Sequence, residues 1–228
     1  MKKPLAEFIG TYLLVFLGTS AVVSALTVGM GKLEVAGIVG IGLAFGLSLV
    51  AIAYAFGPIS GAHVNPAVTL GMVVAQKMTV KEAVPYWIAQ FAGGVFAALT
   101  LKFGYGEMAE KFHLGANAPG PLFGTGGALV FEVVSTMLFF LVIYGAAASK
   151  RAAAGFAGLP IGLYLAASHL AGIPISGSSL NPARDFGPAL ISGGATLSGV
   201  WVYFVGPFVG AILGGFLALQ VHEGKEAK

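Results

Sequence analysis

Asn65 and Asn181 sit in two matching nine-residue stretches, ISGAHVNPA from Ile59 to Ala67 and ISGSSLNPA from Ile175 to Ala183. Six of the nine positions are identical, Val64 answers Leu180, and the copies lie 116 residues apart, close to half of the 228-residue chain. Such spacing marks an internal duplication. Each asparagine is followed by a proline, Pro66 or Pro182, and then by Ala67 or Ala183 at the head of a short run. Asparagine is a favoured helix cap, and proline suits the first helical position. Each stretch therefore reads as a loop that delivers an asparagine amide to a helix N-terminus. A carboxamide brings two N–H donors, and a helix N-terminus adds about half an elementary positive charge. Two such ends meeting face to face favour an acceptor oxygen and repel a cation. The plainer reading, two helix caps and nothing more, suits a single copy better than a pair.

The medium around these groups is set by composition. Hydrophobic residues make up 57% of the chain and charged residues 9%, with a mean hydropathy of +0.90. A soluble domain carries about 25% charged residues, so this chain belongs in a lipid bilayer. The 35 glycines suit helices that pack closely on small residues. There is no cysteine, which removes disulfides, thiolate metal sites and a cysteine nucleophile. The net charge of +3 comes without a basic patch for nucleic acid. No nucleophile–base pair or metal-ligating cluster lies near the asparagines, so neither an enzyme, a metal nor a cofactor is expected.

A spanning helix needs about 20 apolar residues. Six segments qualify, at about 5–28, 35–56, 83–103, 125–148, 156–173 and 199–221. The alternation of a membrane barrel is absent. Two further runs, about 66–76 and 182–192, are long enough to cross roughly half of the ~30 Å hydrocarbon core. These are half-helices, and the loops before them must lie at membrane depth, inside protein or beside water. The predicted fold is an all-α polytopic membrane protein, one channel-like domain over 1–228, with repeat halves at about 4–103 and 125–221. Residues 104–124 join the halves. Three spans per half is an odd number, so the halves are inverted and their half-helices meet N-terminus to N-terminus.

Loop charge orients the chain. Lys2, Lys3, Lys77, Lys81, Lys150, Arg151, Lys225 and Lys228 fall on one side, against Lys32, Lys102 and Lys111 on the other. The excess places both termini in the cytoplasm. Lys2 and Lys3 before an apolar run, with Ser24-Ala25 beyond, also resemble a secretory leader. Against that, Glu7 and Thr11 are echoed by Glu132 and Thr136, which favours a retained helix.

In this frame the carbonyls of Gly61, Ala62, His63 and Val64, and of Gly177, Ser178 and Ser179, are candidates to line a path. Donors at the centre and acceptors along the sides suit a small neutral hydrogen-bonding molecule. Arg184 is a basic residue inside a membrane segment, which marks function by default. Its competing role is an ion pair with Asp185, although adjacent helical residues point in different directions. Glu7 and Glu132 are carboxylates in apolar helices. They serve either a proton or cation path, or the N–H groups of the buried loops. His113 and His222 fall in exposed segments, and aromatic residues elsewhere are packing or interface anchors by default. A secondary transporter also uses inverted repeats and broken helices, yet no ion-coupling carboxylate stands beside the asparagines.

The two NPA boxes, the glutamates at 7 and 132 and the arginine after the second box resemble the aquaporins, the major intrinsic protein family, over about residues 4–221. The resemblance implies a water channel in the cell (inner or plasma) membrane that assembles as a homotetramer. It implies a filter formed by Phe45, His169, Ser178 and Arg184, a quartet similar to water-selective members. It also implies that Glu7 and Glu132 hold the re-entrant loops. Asp185 departs from this pattern, because aspartate after the arginine resembles the glycerol facilitators. Ala189, Tyr203 and Phe204 return to the water-channel pattern.

Overall fold

The computed structural model describes residues 2–153 and 155–223, and among these no strand occurs. The chain runs through α1 (Lys2–Val28), α2 (Val35–Ser60), the short α3 (Pro66–Val74) and α4 (Val80–Tyr105). A connection holding α5 (Glu107–Lys111) and a tight turn at His113–Gly115 leads to α6 (Gly124–Ile143). Then come α7 (Gly158–Ser176), the short α8 (Pro182–Ser192), α9 (Gly194–Gly199) and α10 (Val202–Glu223). Six of these elements are long and apolar enough to cross a bilayer. Lys225 and Lys228, counted above for orientation, lie outside the described residues.

The halves correspond as α1 to α6, α2 to α7, α3 to α8 and α4 to α10. Within each half the outer helices pair alike, α1 on α4 and α6 on α10. The half-helices are exchanged: α3 packs on α10, and α8 on α4. Glycine permits the closest approaches. A Cβ on Gly94 would strike the backbone of Ala183, and one on Gly187 would strike that of Gly94, so α4 and α8 touch main chain to main chain. Apolar side chains such as Leu47, Ile88, Phe96, Leu163 and Phe216 point outward, where lipid meets them.

Several boundaries differ from expectation. Helices α2 and α7 do not stop at the expected 56 and 173 but run through Pro58 and Pro174 to Ser60 and Ser176. Proline removes one internal hydrogen bond, whereas leaving the helix earlier at membrane depth strands more backbone groups. Both then end on a left-handed glycine, Gly61 at φ 91° and Gly177 at φ 84°. The first half-helix is shorter than expected and stops at Val74. The 104–124 connection is more than a linker. Leu114 and Gly115 are buried, and the Gly120 N–H donates to Ile175 O at 2.8 Å.

Candidate pore

Each asparagine caps the half-helix that follows it. Asn65 Oδ1 accepts from the Ala67 N–H at 2.8 Å, and Asn181 Oδ1 from the Ala183 N–H at 3.1 Å. The amide nitrogens then cross between halves. Asn65 Nδ2 donates to Leu180 O at 2.7 Å, and Asn181 Nδ2 donates to Val64 O at 2.9 Å. One N–H of each amide is thereby consumed, leaving one on each for a bound molecule. Two carbonyls of these loops are thus engaged once each, that of Val64 by Asn181 and its counterpart at Leu180 by Asn65, and each keeps a second lone pair.

The loops are strained in the same way. Ala62 and Val64 have φ of 50° and 43°, and Ser178 and Leu180 have φ of 60° and 56°. Left-handed backbone at non-glycine residues costs on the order of 1–3 kcal/mol each, so something must hold it. Glu7 does so in the first half. Its Oε1 accepts from Ser60 Oγ at 2.7 Å and the His63 N–H at 3.0 Å, and its Oε2 accepts from the Val64 N–H at 2.7 Å and Gln90 Nε2 at 2.8 Å. Glu132 repeats the pattern, with Ser176 Oγ at 2.7 Å on Oε1, the Ser179 N–H at 2.8 Å on Oε1, and the Leu180 N–H at 2.8 Å on Oε2. Both carboxylates are fully buried. Of the two roles open to them in the sequence, the geometry displays the loop acceptor.

Sequence reasoning missed the rest of this brace. Tyr86 donates its hydroxyl to Ser60 O and Tyr203 to Ser176 O, each at 2.7 Å, and Trp87 Nε1 donates to Pro66 O at 3.1 Å. These aromatic residues are not mere packing anchors. Their signal was present: Ala89–Gly93 matches Gly206–Gly210, and extending that match by three residues pairs Tyr86 with Tyr203. Gln90 could not be found this way, because its counterpart is Pro207.

The halves diverge one turn into the half-helices. In the first, His63 Nδ1 and Gln90 Nε2 lie 3.2 Å and 3.0 Å from Thr69 Oγ1. In the second, Asp185 replaces Thr69 and bonds Ser179 Oγ, while Arg184 Nη1 lies 3.3 Å from its Oδ1. Asn117 of the connection packs against Gly177, where a Cβ would strike its side chain. Adjacent residues 184 and 185 thus do touch, because the long guanidinium folds back along the first turn. Asp185 is buried with these partners and is absent from the walls of the central chamber.

The path itself has two parts. A mouth of about 510 Å³ is lined by Gly57, Gly61, Ala62, His63, Met72, Ile161 and the alanines after α6. It shares Leu49, His63 and Phe139 with a chamber of about 20 Å³. Leu14, Leu165 and Val64 form an apolar wall of the chamber; Asn65, Asn181, Ser179 and Arg184 form the polar one. That volume holds one water or at most two, since one water needs about 10–15 Å³ by this measure, so molecules pass it one at a time.

Beyond the asparagines Phe45, His169 and Arg184 converge, each 1% exposed. The rings of Phe45 and His169 stack at 4.3 Å, and the Arg184 guanidinium carbon lies 5.2 Å from the Phe45 ring centre. His169 Nδ1 lies 2.8 Å from Leu165 O. A carbonyl only accepts, so Nδ1 carries the proton and Nε2 of the neutral ring presents a lone pair. Among the described residues, neither His169 Nε2 nor Arg184 Nε has a protein partner. The hydroxyl of the fourth expected member, Ser178, is 3.0 Å from Ser168 Oγ, in the seam between α6 and α7.

A second cluster ties the loop after α3 to α10. Lys77 Nζ is 3.1 Å from Glu223 Oε1, to which the Tyr144 hydroxyl also donates at 2.9 Å. Hydrogen bonds to Tyr144 and Glu223 hold the Lys77 ammonium above its ordinary pKa. His222, set aside from sequence, lies tilted against Tyr144 with ring centres 5.5 Å apart.

Six spanning helices and two half-helices that meet at crossed asparagines define an integral membrane protein of inverted-repeat build. Residues 1–218 match the family model described as Major intrinsic protein, and the chain belongs to that family. It is 45% identical over 225 residues to Aquaporin Z of Rhodopseudomonas palustris, covering 94% of this chain and 91% of that one. It is 42% identical over 218 residues to the Glycerol uptake facilitator protein-like 6 of Lactiplantibacillus plantarum, covering 96% and 97%. The X-ray structure of the aquaglyceroporin from Plasmodium falciparum aligns with a TM-score of 0.86 over 96% of each chain, at 24% identity, a likeness of fold.

Proposed function

We propose that this chain is a passive channel that conducts water along an osmotic gradient while excluding protons and ions. One observation carries the reading: the two crossed asparagines open onto a chamber of about 20 Å³ that Phe45 and Arg184 also line, with His169 stacked on Phe45. The remaining N–H of each amide orients an acceptor oxygen at the centre. The free carbonyl lone pairs of Gly61, Ala62, His63, Gly177, Ser178 and Ser179 supply acceptors along the file. Arg184 and the lone pair of His169 meet the permeant from two sides, and Phe45 limits its width. Relatives that bear the name Aquaporin Z support this reading. The channel works in the cell membrane as a homotetramer with both termini cytoplasmic. The lysine excess supports that orientation, with Lys2, Lys3 and Lys77 around one cavity.

A glycerol or small-neutral-solute facilitator is the second reading. Asp185 favours it, as does the relative named for glycerol uptake. Its carboxylate, however, is bonded to Ser179 and absent from the walls of the chamber, so the narrow filter outweighs it. Stopped-flow light scattering of proteoliposomes, under sucrose and then glycerol gradients, separates the two. Fast shrinkage in sucrose with slow re-swelling in glycerol is expected; glycerol entry as fast as water equilibration overturns the assignment.

A further inference from the structure

Ser178 belongs to the filter loop, yet its hydroxyl is the end of a chain of three. Ser135 Oγ on α6 lies 2.7 Å from Ser168 Oγ on α7, which lies 3.0 Å from Ser178 Oγ. Ser178 is fully buried, and Ser135 and Ser168 are 7% exposed, at the wall of an outer groove of about 290 Å³ between α6 and α7.

The inverted repeat supplies an internal control. The positions equivalent to Ser135, Ser168 and Ser178 in the first half are Gly10, Ile52 and Ala62. That cluster is apolar: a Cβ on Gly10 would meet the Ile52 methyl at 3.2 Å. Nevertheless the two loops share one backbone. Ala62 and Ser178 have φ of 50° and 60°, and their N–H groups donate to Ser60 Oγ at 3.1 Å and to Ser176 Oγ at 3.0 Å. The loop therefore adopts its shape without any of the three hydroxyls. What the chain adds is a fixed direction for the Ser178 hydroxyl.

A buried hydroxyl needs a partner. The next residue, Ser179, lines the chamber together with Arg184, so a Ser178 hydroxyl released from Ser168 has the file of permeant close by as a new partner. We propose that Ser135 and Ser168 are specificity-determining positioning residues: they hold the Ser178 hydroxyl in the α6–α7 seam and so keep an additional polar group out of the filter. This rests on the water-channel reading and names residues outside the pore that set its filter.

The test is a mutant cycle in proteoliposomes, with osmotic water permeability and its activation energy measured per channel. Ser168→Ala releases the hydroxyl; one added hydrogen bond of about 1 kcal/mol on the permeant lowers water flux about fivefold and raises the activation energy. Ser168→Thr keeps the hydroxyl and stays near wild type, and Ser135→Ala, one link further away, acts in the same direction but less. In a Ser178→Ala background, whatever level that variant sets, adding Ser168→Ala changes nothing further. An equal loss in both backgrounds makes Ser168 merely structural and overturns the inference, as does unchanged flux and activation energy in Ser168→Ala. If Ser168→Ala does not fold, Ser135→Ala in the two backgrounds decides the question by the same comparison. A wild-type protein no faster than empty vesicles removes the water-channel reading itself, and this inference with it.

Discussion

Asn65 donates an amide N–H to the carbonyl of Leu180 at 2.7 Å, across 115 residues of chain and between the two halves of the repeat. The reciprocal bond from Asn181 to Val64 closes a ring at the point where α3 and α8 meet. Each asparagine is thus at once a cap, a clasp between halves and a donor to the path.

The clasp predicts coupling between the asparagines. Asn65→Ala and Asn181→Ala each lose a cap worth about 1 kcal/mol and a cross-bond of similar size. Because both cross-bonds brace one junction, the double variant should lose less than the sum of the single losses. Thermal unfolding in detergent checks this, and strict additivity would show that the halves are held elsewhere.

Glu7→Gln and Glu132→Gln should reduce stability by about 1–3 kcal/mol each, with little change in selectivity. Glutamine keeps the shape but turns an N–H₂ toward donors that now all point at oxygen. Either variant, fully stable yet newly proton-conducting, would mean the carboxylate belongs to a proton path instead.

Asp185→Ala should raise the ratio of glycerol to water permeability about fivefold, the equivalent of about 1 kcal/mol. Removing the carboxylate frees Ser179, and it releases Arg184 from the contact that limits its swing. Paired water and glycerol measurements on the same vesicles report the ratio. An unchanged ratio would show that Arg184 is placed by its own helix alone.

Replacing both Arg184 and His169, as Arg184→Val with His169→Ala, should raise proton or cation leak tenfold or more, corresponding to about 1.4 kcal/mol of barrier. Arg184 and the two half-helix ends make a cation costly along the file, and the asparagine donors interrupt water-to-water hopping only at the centre. A pH dye inside vesicles under an imposed potential reads the leak. A tight double variant, or a leaky wild type, would sink this account.

Periodicity and duplication carried most of the architecture in the sequence. Charge-poor runs of spanning length can be only membrane helices, and an odd number of spans per repeat forces the inversion, so six helices and two half-helices follow without coordinates. Asn65, Asn181, Glu7 and Glu132 were legible because each occurs twice in the same setting. Boundaries were less so: at membrane depth α2 and α7 continue through Pro58 and Pro174, since helix satisfies more backbone than a loop would. What only the tertiary structure decided is direction. A hydroxyl or amide in a sequence has no orientation, and contacts between helices choose its partner. Ser168 takes the Ser178 hydroxyl, Ser179 takes the Asp185 carboxylate, and the crossing of halves takes one N–H from each asparagine. These choices depend on pairs far apart in the chain, and the exchange of half-helices between repeats is what brings them within reach.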